Sequence, residues 1–163
     1  MRIAVGSDHA GFRLKQAVIG HLAEQGYLVE DRGCYDTDSV DYPDIAVEVA
    51  AEIAEGRCAA GILICSTGIG ISIAANKIEG IRAALCHDTF SAHRAREHND
   101  ANVLCMGQWV IGPGLALEIV STFLNAEFSQ DAERHVRRVD KIGELDRTRG
   151  AGRENQPAVA NTN

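Results

Sequence analysis

The sequence predicts an α/β fold, a three-layer sandwich built on a five-stranded, parallel, Rossmann-like sheet. Two observations predict it. Short apolar runs alternate with longer amphipathic stretches, the pattern of βαβ units. The most unusual polar and glycine residues stand just after the apolar runs, where parallel sheets gather their functional groups. A length of 163 residues suits one domain, whose core needs neither disulfide nor metal as a staple.

Ile3 to Gly6 reads as the first strand, and Ser7 or Asp8 can cap the helix behind it. Leu14, Val18 and Leu22 recur there at helical spacing, and Gly26 ends that helix. Tyr27 to Asp31 is the second strand. A polar loop through Asp36, Asp38 and Asp41 leads to Pro43, a good first-turn residue for a helix ending near Gly56. Gly61 to Ile64 is apolar throughout, which places it in the buried middle of the sheet. A glycine-rich turn and a short helix to about Lys77 follow. Ile81 to Leu85 and Asn102 to Met106, with a helix near Thr89 to Glu97 between them, complete the strands. The last helices run from Pro113 to Leu124 and from about Gln130 to Arg147. Residues 1–149 form the expected domain. Residues 150–163 lack apolar periodicity and are expected to be a flexible tail.

Charge and cysteine usage exclude several classes. Sixteen Lys and Arg face 23 Asp and Glu, a formal net charge of −7, which disfavours a nucleic-acid binder. No long apolar stretch opens the chain, so a soluble, cytoplasmic protein without membrane partners is expected. The five cysteines (34, 58, 65, 86 and 105) include no Cys-x-x-Cys pair, which argues against a disulfide framework or zinc ribbon. The scattered carboxylates show no metal-ligand spacing, so neither metal nor cofactor is expected.

Three segments carry candidate chemistry. Ser7-Asp8-His9-Ala10-Gly11 follows the first strand, and Cys65-Ser66-Thr67-Gly68-Ile69-Gly70-Ile71-Ser72 follows the third. His98-Asn99-Asp100 ends the helix before the fifth strand, and these segments are expected to share a pocket. The glycine-rich turn fits neither a Rossmann fingerprint nor a Walker loop. It remains a row of backbone N–H groups suited to an anion, including an oxyanion formed only during reaction. Thiolate character is favoured at helix N-termini, which makes Cys65 a candidate base or nucleophile. Arg134, Arg138 and Lys141 share one face of the last helix, beside Arg137, and arginine's fork suits a phosphate.

In this combination and order the chain resembles the type B ribose-5-phosphate isomerases, in the family that includes the galactose-6-phosphate isomerase subunits. The resemblance runs from Arg2 to about Arg147. It rests on the segments above, with Asp41-Tyr42-Pro43, Ile73-Ala74-Ala75-Asn76-Lys77, Arg96 through Val103, and Arg134-His135. It implies a metal-independent aldose–ketose isomerase of pentose phosphate metabolism, a homodimer with its active sites at the interface. Cys65 would then carry the proton between C1 and C2. Thr67 and the N–H groups of Ser66, Gly68, Ile69, Gly70 and Ile71 would stabilise the enediolate. His98 would assist opening of the furanose ring, while Asp8, Tyr42 and Asn99 hold hydroxyls. His9, Arg134 and Arg138 would hold the phosphate, with His9 and the arginines from different subunits, the last helix reaching the partner. Members lacking the cysteine carry a glutamate where this chain has Ile71, so this is the cysteine subtype.

One position departs from the family pattern. Trp109 stands where members usually place an arginine, just beyond the glycine after the fifth strand. That keeps open an isomerase of another sugar phosphate, with four or six carbons. A non-catalytic phosphate-binding module on the same fold is the alternative from a different class. The sequence does not decide whether dimers pair into tetramers.

Overall fold

The computed structural model describes residues 1–153. Strands β1 (Arg2–Ser7), β2 (Leu28–Gly33), β3 (Ala60–Cys65), β4 (Ala83–Leu85) and β5 (Val103–Gly107) form one sheet in the order β2-β1-β3-β5-β4. Every pairing is parallel. The helices are α1 (Phe12–Glu24), α2 (Tyr42–Ala54), α3 (Ile69–Ala75), α4 (Thr89–Asn99), α5 (Pro113–Asn125) and α6 (Glu133–Arg153). A single 3-10 turn, His9–Gly11, joins β1 to α1, and the Asp8 carboxylate caps it by accepting the Gly11 N–H.

Strand periodicity divides the core in two. Ile3, Val5, Ile62, Ile64, Leu104 and Met106 pack with α1, α4 and α5 on one face. Ala4, Leu63, Cys65, Val103 and Cys105 pack with α2 and α3 on the other. Both faces are covered, which is the three-layer arrangement the apolar runs imply. The helix α6 packs against α4 and carries exposed Ile142 and Leu145.

The strands are where the sequence places them, to within a residue or two. The last helix differs more, starting later and running on to Arg153. Residues 150–153 are therefore helical, and the rest of the expected tail lies outside the described residues.

Two glycines set how closely the β3 and β5 ends approach. Gly68 has φ +77°, and a Cβ there would lie 2.8 Å from the Met106 carbonyl carbon. A Cβ on Gly107 would lie 2.6–2.7 Å from the Thr67 backbone, closer than any side chain is accommodated. Gly107→Ala should cost about 1–3 kcal/mol of unfolding free energy, as overpacking against backbone does. Gly20→Ala, whose methyl meets nothing within 4 Å, should be neutral or stabilising by up to ~1 kcal/mol. Denaturant unfolding of the two variants measures the difference.

Candidate active site

The α1 crossover leaves β1 on one face of the sheet and the α3 crossover leaves β3 on the other, so a crevice opens where the two adjacent strands end. The Asp8 N–H donates to the Ile64 carbonyl at 3.2 Å, which stitches the two strand ends together. Asp8 itself is buried. Burial raises its pKa above the ordinary carboxylate value, against the lowering effect of the Gly11 and Ala10 N–H groups and His9. His9 accepts the Val40 N–H at Nδ1, 3.3 Å, so Nε2 is the nitrogen that carries hydrogen.

Cys65 ends β3, 3% exposed, and its Sγ accepts the Gly68 N–H at 3.1 Å. The turn through Ser66, Thr67, Gly68 and Ile69 enters α3, where Gly70 and Ile71 follow. Ile69 N–H donates to Thr67 Oγ1 at 3.4 Å, which leaves the hydroxyl hydrogen free for another acceptor. Tyr42, at the start of α2, lies across Gly70, where a Cβ would fall 2.6 Å from its ring. Behind the turn, Gln108 N–H donates to the Cys65 carbonyl and Trp109 N–H to the Ser66 carbonyl, both at 3.0 Å. The Trp109 side chain is 74% exposed beside the turn.

The second group of candidates gathers elsewhere. His98, in the last turn of α4, stacks on His135 with ring centroids 4.2 Å apart and planes tilted by 32°. Partial burial lowers the His98 pKa, as do His135, Arg94 and Arg134, while Glu97, 3.4 Å from Nε2, opposes them. Arg134 donates its Nε–H to His135 Nε2 at 3.0 Å. Arg134 and Arg138 are exposed on α6, one helical turn apart, and Asn99 is exposed at the end of α4.

The two groups do not meet within one chain. Helix α4 returns to the amino end of β5, so His98 and Asn99 precede Val103, whereas Cys65 pairs in register with Gly107 at the carboxyl end. The length of β5, about 13 Å at strand rise, separates those ends. The expectation of one pocket shared by all three segments therefore fails for the single chain. A helix between parallel strands starts at one sheet edge and ends at the other.

Sequence reasoning gave no role to three residues. His87 accepts the Gly107 N–H at Nε2, 3.0 Å, and so pins the strand end that backs Thr67. Lys15, fully buried, donates to Asp31 at 2.5 Å and to the Cys34 carbonyl at 2.6 Å, fixing the loop that reaches His9 through Val40. His135 is buried against His98. Only Lys15 left a signal, as a lysine on the apolar stripe of α1 beside Leu14 and Val18. No group of three or more His, Cys, Asp or Glu is placed to hold a metal ion among the described residues, and no described helix is long and apolar enough to cross a membrane.

A buried thiol and a buried carboxylate facing amide donors, at the crevice of a parallel sheet, define a small α/β enzyme equipped for acid–base chemistry. The chain belongs to the Ribose/Galactose Isomerase family, whose model matches residues 3–142. Ribose-5-phosphate isomerase B of Escherichia coli is 46% identical over 148 residues, 91% of this chain and 98% of that protein. D-erythrulose-4-phosphate isomerase of Pectobacterium atrosepticum is 46% identical over 145 residues, 88% of this chain and 93% of that protein. The structure of Clostridium thermocellum ribose-5-phosphate isomerase B superposes with a TM-score of 0.88 at 51% identity, covering 91% of this chain and 99% of that one. The α/β fold and membership among the isomerases follow directly.

The raised pKa of Asp8 has a thermodynamic consequence. Its ionised form costs stability at neutral pH; that cost is absent below the ordinary carboxylate pKa and grows as pH rises through the raised value. Asp8→Asn keeps an oxygen for the Gly11 N–H and removes the charge. It should raise Tm at pH 7 by a few degrees, with the gain shrinking towards pH 3, in parallel thermal melts.

Proposed function

We propose that the chain is a ribose-5-phosphate isomerase, interconverting ribose 5-phosphate and ribulose 5-phosphate through an enediolate without a metal. The observation that carries the reading is the Cys65 sulfur, buried where the Gly68 amide points at it. As thiolate, Cys65 takes the C2 proton of the open aldose and returns it to C1, while the hydroxyl proton passes from O2 to O1. One base serves both carbons because it holds the proton between the two steps. Charge on the enediolate oxygens falls to the Thr67 hydroxyl and the N–H groups of the turn, each such donor contributing about 3 kcal/mol in comparable sites. Asp8 and Tyr42 hold substrate hydroxyls.

The remaining groups come from a second copy of the chain. His98 acts on the furanose ring, Asn99 holds a hydroxyl, and Arg134 and Arg138 hold the phosphate opposite His9. The separation of the two groups across β5 supports this reading. So do exposed Ile69, Ile73 and Val110 around the turn, and an α6 whose arginines face solvent. The relatives named above carry the reaction in their names. Free thiols at all five cysteines fit a reducing cytoplasm. In steady-state assays Cys65→Ala should lower kcat by at least ~10³-fold with KM nearly unchanged. Mixed with Arg138→Ala subunits, it should regain part of the activity, because one composite site then holds both intact residues. Near-normal turnover by Cys65→Ala, or no recovery on exchange, would reject this mechanism.

Trp109 favours a second reading, a four-carbon sugar phosphate. Its backbone is bound to the turn at Ser66 and its indole is exposed, adding bulk without charge, and one relative is named for D-erythrulose 4-phosphate. Trp109→Arg should lower KM for ribose 5-phosphate by about tenfold, the size of one added ion pair. An unchanged or higher KM would assign the indole no part in substrate choice.

A further inference from the structure

We infer that His135 is a positioning residue for ring opening, its imidazole holding the His98 ring in the orientation that exchanges a proton with the sugar's ring oxygen. The inference rests on the role proposed above for His98. Three observations carry it. His135 is 5% exposed, and its ring lies 4.2 Å from that of His98. Its own Nε2 accepts the Arg134 Nε–H at 3.0 Å, a contact that fixes the plane of its ring. His98, by contrast, keeps about a third of its side chain exposed and can reach a substrate.

The arrangement links two tasks. Arg134, a candidate phosphate ligand, holds His135; His135 in turn packs against the histidine that meets the other end of the sugar. An unsupported imidazole at a helix end rotates about χ1 and χ2. One stacked on a buried ring does not, and small misplacements of an acid–base group are costly in rate. His135 touches no reacting atom in this scheme. Its effect passes through His98.

Ring opening can be read apart from isomerisation. In a Cys65→Ala background the enzyme should still open and reclose the ring of ribose 5-phosphate, interconverting its α and β anomers. NMR exchange spectroscopy on substrate labelled at C1 reads that rate. Adding His135→Gln, which keeps an acceptor for Arg134 but removes the ring, should slow anomer exchange by roughly tenfold or more. The dissociation constant for ribose 5-phosphate should stay within about twofold. His135→Phe restores a stacked ring and should recover at least half of the lost rate. Melting curves identify any variant that fails to fold; should His135→Gln do so, His135→Ala, which also removes the ring, takes its place. If His98→Asn leaves anomer exchange intact, the role given to His98 fails. If His98→Asn abolishes exchange and neither His135 variant alters it, the inference about His135 is overturned. Loss of exchange and of binding together, without rescue by phenylalanine, would also overturn it and make His135 a packing residue.

Discussion

The carboxyl edge of the sheet depends on backbone lying against backbone at Gly107. The Thr67 peptide occupies the space where a side chain would stand, and Gly68 takes a left-handed turn against the end of β5. That contact lets the chain leave β3 and reverse into α3 within a few residues. It also brings the Gly68 N–H onto the Cys65 sulfur. The hydrogen bonds from Gln108 and Trp109 to the Cys65 and Ser66 carbonyls hold the same contact from behind, and His87 fixes Gly107. In the proposed mechanism this rigidity serves chemistry. Donors that stabilise a transient oxyanion are effective because they need not move when it forms.

A parallel sheet also imposes polarity. All loops leaving strands emerge at one edge, and all loops entering them emerge at the other. The thiol and its donors occupy the first edge, the histidine pair and arginines the second. In the proposed dimer this separation is an advantage, since each interface joins a leaving edge to an entering edge. It also ties activity to association: dilution below the dimer dissociation constant removes half of every site at once. The negative net charge is no obstacle to an anionic substrate, because the arginines concentrate on α6.

Much of this was legible in the sequence. The alternation of Ile3 to Gly6, Gly61 to Ile64 and Asn102 to Met106 with amphipathic stretches located the central strands, because buried parallel strands admit little else. The glycine-rich turn announced a close approach, though not which glycine met which backbone. Gly107 gave no hint, because its neighbour Thr67 is 40 residues away. The single pocket was misjudged at His98: the sequence places it at the end of the helix before β5, but that end lies at the edge where β5 begins, opposite the Cys65 edge. His135, noted only as part of the Arg134-His135 segment, and His87 received no role for another reason. An isolated histidine carries no pattern, and only tertiary contact separates one that orients a neighbour from one that merely packs. The Lys15 contacts with the Cys34 carbonyl and Asp31 likewise exist only once α1 lies beside β2.

The proposed mechanism places proton transfer and phosphate binding on different edges, and in the proposed dimer on different chains, which lets each vary alone. C1 and C2 of an aldose phosphate are the same whatever the chain length, so the thiol, turn and carboxylate can stay fixed while the distance to the phosphate changes. The relatives fit that division. Proteins named for a five-carbon and a four-carbon phosphate are each 46% identical to this chain over nearly its whole length. A shift in substrate length needs no new catalytic group, only a different wall between turn and arginines. In the proposed reading Trp109 would be such a wall, with its backbone bound to the turn at Ser66 and its side chain exposed. A residue anchored in this way would move the far end of the pocket without disturbing the donors at the near end.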